Sequence, residues 1–231
     1  MEVQIDLTGT SMASPPESLE PDDQAIGLLD FVGQARGKLL DQGWMAGAVV
    51  VDGRVLTVEL EQELSGRPCE DFGFLCIQVQ DLPTFLVEMF EECRSSVPRL
   101  LDLKDRITRD LRADKADAAS ELLLPFLSDL HVIISAYRNG RLLLERALEL
   151  GDGNAPGGMP SVSRTGEPND PNFVDRFARM KDTLTDLQDG FGRGDFVLVS
   201  DALEFEVPEL LTGLDSDLQE SVNRLRTLEG E

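Results

Sequence analysis

The sequence predicts an α+β protein, predominantly α. A small N-terminal sheet containing a hairpin, with one helix, precedes an antiparallel helical bundle built from two related helix pairs. Three observations carry this reading. Asp52-Gly53 lies between two runs rich in β-branched residues, Ala48–Val51 and Arg54–Val58. From Leu82 onward apolar residues recur every three or four positions, the period of a helix with one buried face. Within that half, Arg112-Ala113-Asp114 and Arg193-Gly194-Asp195 match at an offset of 81 residues, and so do the apolar positions that follow.

Residues 1–22 hold five acids and no base. Ser, Thr and Pro crowd them from Thr8 on, which predicts a flexible acidic arm. Val3 and Ile5 alternate with polar residues, so a short strand at the very start stays open. Residues 23–81 read as a small α+β unit. Asp22 and Asp23 suit the N-cap of a helix from Gln24, and Gly43 suits its stop. In the hairpin, both turn positions need positive φ, which Asp tolerates and Gly accepts freely. The second run, to Val58, reads as its return strand, and a third strand follows at Phe74–Val79.

Asp81 then offers an N-cap, and Pro83 falls in the first turn, where its missing N–H costs little. Residues 82–150 read as the helical region with the first helix pair. Pro98 divides it, since an interior proline costs about 3 kcal/mol, and Asn139-Gly140 marks another break. Residues 151–171, dense in Gly and Pro, read as a linker or long loop. Residues 172–231 read as a second, acidic helix pair.

The two pairs align through their stripes. Ala118, Leu122, Phe126, Leu130, Ile133 and Tyr137 match Val199, Leu203, Val207, Leu211, Leu214 and Leu218. Each pair closes on a tight turn with Asp as the cap, and one pair alone cannot cover its apolar stripe, so the two pack together. That assignment also accounts for Arg193-Gly194-Asp195 without an integrin-type role: Gly and Asp have a local reason to stand at such a turn.

Charge and cysteine content limit the function classes. The formal net charge is −23, which argues against direct binding to nucleic acid or anionic membranes. No Lys or Arg occurs from Asp195 to Glu220. No uninterrupted apolar run approaches the roughly 18 residues that cross a bilayer, and no signal peptide opens the chain. Three cysteines, Cys69, Cys76 and Cys93, read as reduced thiols, and the cytoplasm is the default location.

No catalytic constellation emerges. His131, the only histidine, has no identifiable nucleophile or orienting partner and reads as a surface residue. The cysteine spacing does not fit a zinc site. Asp152-Gly153-Asn154 opens a calcium-like loop but lacks its closing Glu. No phosphate-cradling or dinucleotide motif is present. No cofactor or metal is expected. Trp44 reads as core packing.

One feature stands out. In the helix from Asp195, a second apolar stripe of Leu198, Ala202 and Phe205 faces away from the first, bordered by Asp201 and Glu209. The corresponding face of the first pair is polar: Asp117, Glu121 and Ser128. These five residues are the candidate partner-binding set. The expected function is a non-enzymatic protein-interaction module, such as an adaptor, regulator or chaperone-like binder, taking a basic or amphipathic protein partner. Two alternatives stand beside it. One is an enzyme or small-ligand binder with a site between sheet and bundle. The other is an acidic nucleic-acid mimic, which needs its acids along one exposed surface.

Overall fold

The computed structural model describes residues 1–8, 19, 26–151 and 171–229, with side chains described outside 149–151, 171–173 and 228–229. Most of the expected arm after Leu7 and the expected loop at 151–171 lie outside this set. The chain divides into two compact units, Met1–Phe85 and Leu86–Glu231.

The first unit is a four-stranded sheet in the order β1-β4-β2-β3, with β1 at Glu2–Leu7, β2 at Trp44–Val51, β3 at Arg54–Val55 and β4 at Phe74–Asp81. The start of the expected arm is therefore strand: β1 pairs parallel with β4, Ile5 opposite Ile77. Helix α1 (Leu28–Asp41) buries Leu28, Phe31, Val32, Ala35 and Leu39, one stripe at helical spacing. These share a core with Leu75, Ile77 and Val79 of β4 and with Val49 and Val51 of β2. Gly43 follows α1 at φ 83°, as expected of a helix stop.

The Asp52-Gly53 turn forms, with φ 46° and 80°. Asp52 Oδ1 also accepts the amides of Gly73 (3.1 Å) and Phe74 (2.8 Å), tying the turn to the start of β4. The return strand is shorter than the sequence suggests. Thr57 accepts the Leu60 amide at 3.3 Å and caps α2 (Val58–Leu64), so a side-chain cap ends β3. Strand β2 carries a bulge: Ala46 faces Val79, but Val49 faces Ile77. One extra residue shifts the phase, so Trp44 before the bulge and Val49 and Val51 after it are all buried.

The second unit is a helical bundle. Its rods are α3 (Leu82–Arg112), α4 (Ala116–Gly151), α5 (Pro171–Arg193) and a composite of α6 (Phe196–Asp201), a π-turn (Ala202–Glu206) and α7 (Val207–Glu229). Asp81 caps α3 as expected, accepting the Thr84 amide at 3.1 Å. Two expected breaks are absent. Helix α3 runs through Pro98, and α4 runs through Asn139-Gly140. Gly140 serves packing instead. A Cβ there would come within 2.4 Å of Met89 Cε and Phe90 Cε1, so its absence lets α3 and α4 approach.

Helix α4 is long and apolar enough to cross a membrane by length and composition, although no single apolar run shows this. Leu123, Phe126, Leu130, Ile133 and Tyr137 of α4 are buried in the bundle. Ion pairs join neighbouring rods: Arg94–Asp215 and Arg226–Glu91 between α3 and α7, Arg99–Asp129 between α3 and α4. Arg112 pairs with Glu204, and the Arg138 guanidinium lies 5.5 Å from the Phe177 ring centroid.

Both helical hairpins close with one turn geometry. Asp114 (φ 56°) and Gly194 (φ 70°) are the left-handed residues. Their amides return to Leu111 and Phe191, and those of Lys115 and Asp195 to Asp110 and Gly190, the paired bonds of a Schellman C-cap. Asp195 caps α6, accepting the Leu198 amide at 3.1 Å. Asp114 is no cap. It occupies the position of Gly194, so the turns align at 80 residues, one fewer than the sequence match.

The π-turn supplies the missing residue. Ala119 and Val199, then Leu123 and Leu203 at the start of the π-turn, are buried in step with the hairpin turns. Beyond it, Phe126 matches Val207, and Leu130, Ile133 and Tyr137 match Leu211, Leu214 and Leu218. Ala118 and Leu122 therefore leave the expected stripe: Ala118 is exposed and Leu122 half-buried.

Candidate functional site

Where the second hairpin departs from the first, the departures cluster. Counting from the turn, and allowing one residue for the π-turn, Ser96 and Ala136 of the first hairpin correspond to Arg176 and Asp217 of the second, and Val132 corresponds to Gly213. Val132 is 61% exposed on its groove. At Gly213 an added Cβ meets nothing within 4 Å. A groove of about 370 Å³ lies there between α5 and α7; that beside Val132 measures about 300 Å³.

Helix α5 lines one wall with Arg176, Arg179, Asp182, Thr183 and Asp186. Glu206 of the π-turn and Glu209 of α7 line the other, and Met180, Leu210 and Gly213 complete the lining. Arg179 Nη2 meets Glu209 Oε1 at 2.9 Å, with both side chains more than two-thirds exposed. The buried Thr183 hydroxyl donates to Glu206 Oε2 at 3.0 Å. Arg176 is committed inward, its Nη1 lying 2.6 Å from Asp217 Oδ1.

Behind the groove lies a buried polar cluster that periodicity does not announce. Tyr137 of α4 donates to Asp217 Oδ2 at 2.9 Å, while Arg176 of α5 holds the other oxygen. Asp217 is 7% exposed. Burial pushes its carboxyl above the ordinary range, against the Tyr137 hydrogen bond and the charges of Arg176 and Arg141. Burial and the Asp217 charge also raise the Tyr137 hydroxyl. The clue in the sequence is an acid beside Leu214, Leu218 and Ser221 on an inward stripe. A carboxylate there needs partners.

The five expected partner-binding residues do not all share a surface. Phe205 is 67% exposed and sits on the π-turn; Leu198 is 36% exposed. Asp201 is exposed, and Glu209 stands on the groove rim. Ala202 is buried at 1%, contrary to expectation. It starts the π-turn next to buried Leu203, and α5 packs on that turn, so its one methyl group is covered. Val197, 72% exposed, joins the outer face instead, one turn before Asp201.

His131 is exposed. Trp44 is buried in the sheet unit's core. The thiols of Cys69 and Cys93 are buried and that of Cys76 is half-buried; burial pushes Cys93 up to about 11. Among the described residues no group of three or more His, Cys, Asp or Glu is placed to hold a metal ion. Comparison with family models, curated proteins and solved structures found no match.

Proposed function

We propose that the protein is a non-enzymatic interaction module whose binding face is the α5–α7 groove with the outer surface of the π-turn beside it. The observation that carries the reading is Phe205, a large apolar ring left 67% exposed one residue from Glu206 on the groove wall. Exposed apolar surface rimmed by charge is what partner sites offer. A π-turn inside an α-helix is a recurring mark of functional positions, and here the first hairpin does without one. Descent of the hairpins from one duplicated unit belongs to the same proposal, supported by their shared turn geometry. So does a cytoplasmic location, supported by the free thiols.

The acids of the last rod give the nucleic-acid mimic no support. Glu204 and Asp215 turn toward α3, Glu206 and Glu209 toward α5, and Asp217 inward, so they form no single exposed array.

The test is affinity capture from native extract at low and high salt, comparing wild type with Phe205→Ser. Wild type should retain a partner that the variant loses. The melting temperature should stay nearly unchanged, since surface substitutions shift stability by only about 0.5 kcal/mol. Empty captures at both salts, with a metabolite found in the purified protein, would reverse the reading in favour of a ligand binder.

A further inference from the structure

The chemistry of the groove specifies its occupant. We infer that it receives an arginine-bearing amphipathic helix of a partner protein, and that a partner guanidinium takes Glu209 from Arg179. This rests on the interaction reading above and adds the partner's chemistry.

Charge decides first. Four carboxylates line the groove against two arginines, and Arg176 is already committed to Asp217. Two other interhelical grooves of the bundle carry less acid: Glu91 and Asp215 beside Pro98, Glu92 and Asp129 beside Cys93. An anionic segment would meet repulsion here, and a cationic one attraction.

Spacing decides next. Asp182 and Asp186 stand one helical turn apart on α5, and Glu206 and Glu209 face them from the other wall. The rest of the lining is half-buried Leu210, the open position at Gly213 and, at its floor, buried Met180. A helix seated there places its apolar stripe on that lining, and its flanking cations, also one turn apart, reach the acids. Arginine suits the site better than lysine because a planar guanidinium binds a carboxylate through two parallel hydrogen bonds.

Exchange is easy because the Arg179–Glu209 pair is exposed on both sides, and such pairs contribute little to the fold. Arg179 thus occupies the place of the partner's cation until the partner arrives. Its removal should strengthen binding.

The experiment uses the full chain and three labelled 18-residue helical peptides sharing one leucine stripe, flanked by Arg, Lys or Glu, with binding read by fluorescence anisotropy. Affinity should fall in the order Arg, Lys, Glu, and should weaken as salt rises from about 0.05 to about 0.5 M. Arg179→Ala should bind the Arg peptide roughly two- to fivefold tighter, and Glu209→Gln should bind it looser by a similar factor. Melting curves confirm that both variants fold.

The inference is overturned by equal binding of the Glu peptide, by weaker binding in Arg179→Ala, or by self-association that Glu209→Gln abolishes, which would assign the groove to a second copy. If no peptide binds while Phe205→Ser still loses a captured partner, this inference fails and the interaction reading survives. If no peptide binds and no partner is captured, both fail.

Discussion

Three rods of the bundle meet at Asp217, which sits on α7 and binds Tyr137 of α4 and Arg176 of α5. Truncation to alanine removes the carboxylate that the Tyr137 hydroxyl and the Arg176 guanidinium bind, and should cost about 2 kcal/mol in urea unfolding. Its carboxyl titrates higher in the folded protein than in the unfolded chain, so the folded state holds that proton more tightly. The stability this gives is complete below the unfolded carboxylate range and is lost as pH rises through the folded value. Asp217→Asn cannot titrate. The stability of wild type relative to Asp217→Asn should therefore decline as pH rises above the unfolded carboxylate range; a constant or growing difference would contradict the assignment. Periodicity marks position 217 as inward and goes no further, because partners 41 and 80 residues away, Arg176 and Tyr137, leave no local trace.

At the scale of elements, single inserted residues explain where sequence reading succeeds and where it slips. The Asp52-Gly53 turn, the Asp81 cap and the stripe from Phe126 to Tyr137 were legible because each rests on local chemistry or an unbroken period. The bulge at Gly47-Ala48 and the π-turn at Ala202–Glu206 were not. Each adds one residue and rotates everything beyond it, which a fixed period cannot represent. The groove stayed hidden because its two walls follow different offsets: Val132 and Gly213 correspond at 81 residues, but Ser96 and Arg176, before the extra residue, correspond at 80. Deleting Phe205 should close the π-turn into ordinary helix and leave a folded protein by circular dichroism. Deleting Ser216 should turn the rest of α7 by about 100° and prevent cooperative folding. Glycines separate in the same way. Gly140→Ala forces a Cβ against buried Phe90 and should cost about 1–3 kcal/mol. Gly213→Ala enters open space and should gain about 0.5–1 kcal/mol of helix stability while weakening peptide capture.

For the molecule as a whole, the α+β composition and the order of sheet before bundle were readable from hairpin chemistry and helical period. The parallel seating of the first residues was not, because their partner strand lies beyond α1 and the hairpin. The sole tryptophan and sole tyrosine fall in different units, Trp44 in the sheet core and Tyr137 in the bundle. Trp44 fluorescence therefore follows the first unit, while Tyr137 absorbance follows the second. Asp217→Ala should lower the Tyr137 midpoint and leave the Trp44 midpoint in place; equal displacement of both would show that the units unfold as one.

Strand β1 also shields β4. With β1 bound on one side and β2 on the other, β4 is engaged along both edges: the carbonyls of Gly73 and Val79 accept from the β1 side and that of Phe74 from the β2 side. Trimming the first seven residues would convert this inner strand into a border, bare along one side and flanked by aliphatic side chains. A border of that kind templates aggregation by adding strands from other molecules. A shortened form would accordingly fail first through precipitation, well before its bundle lost helicity.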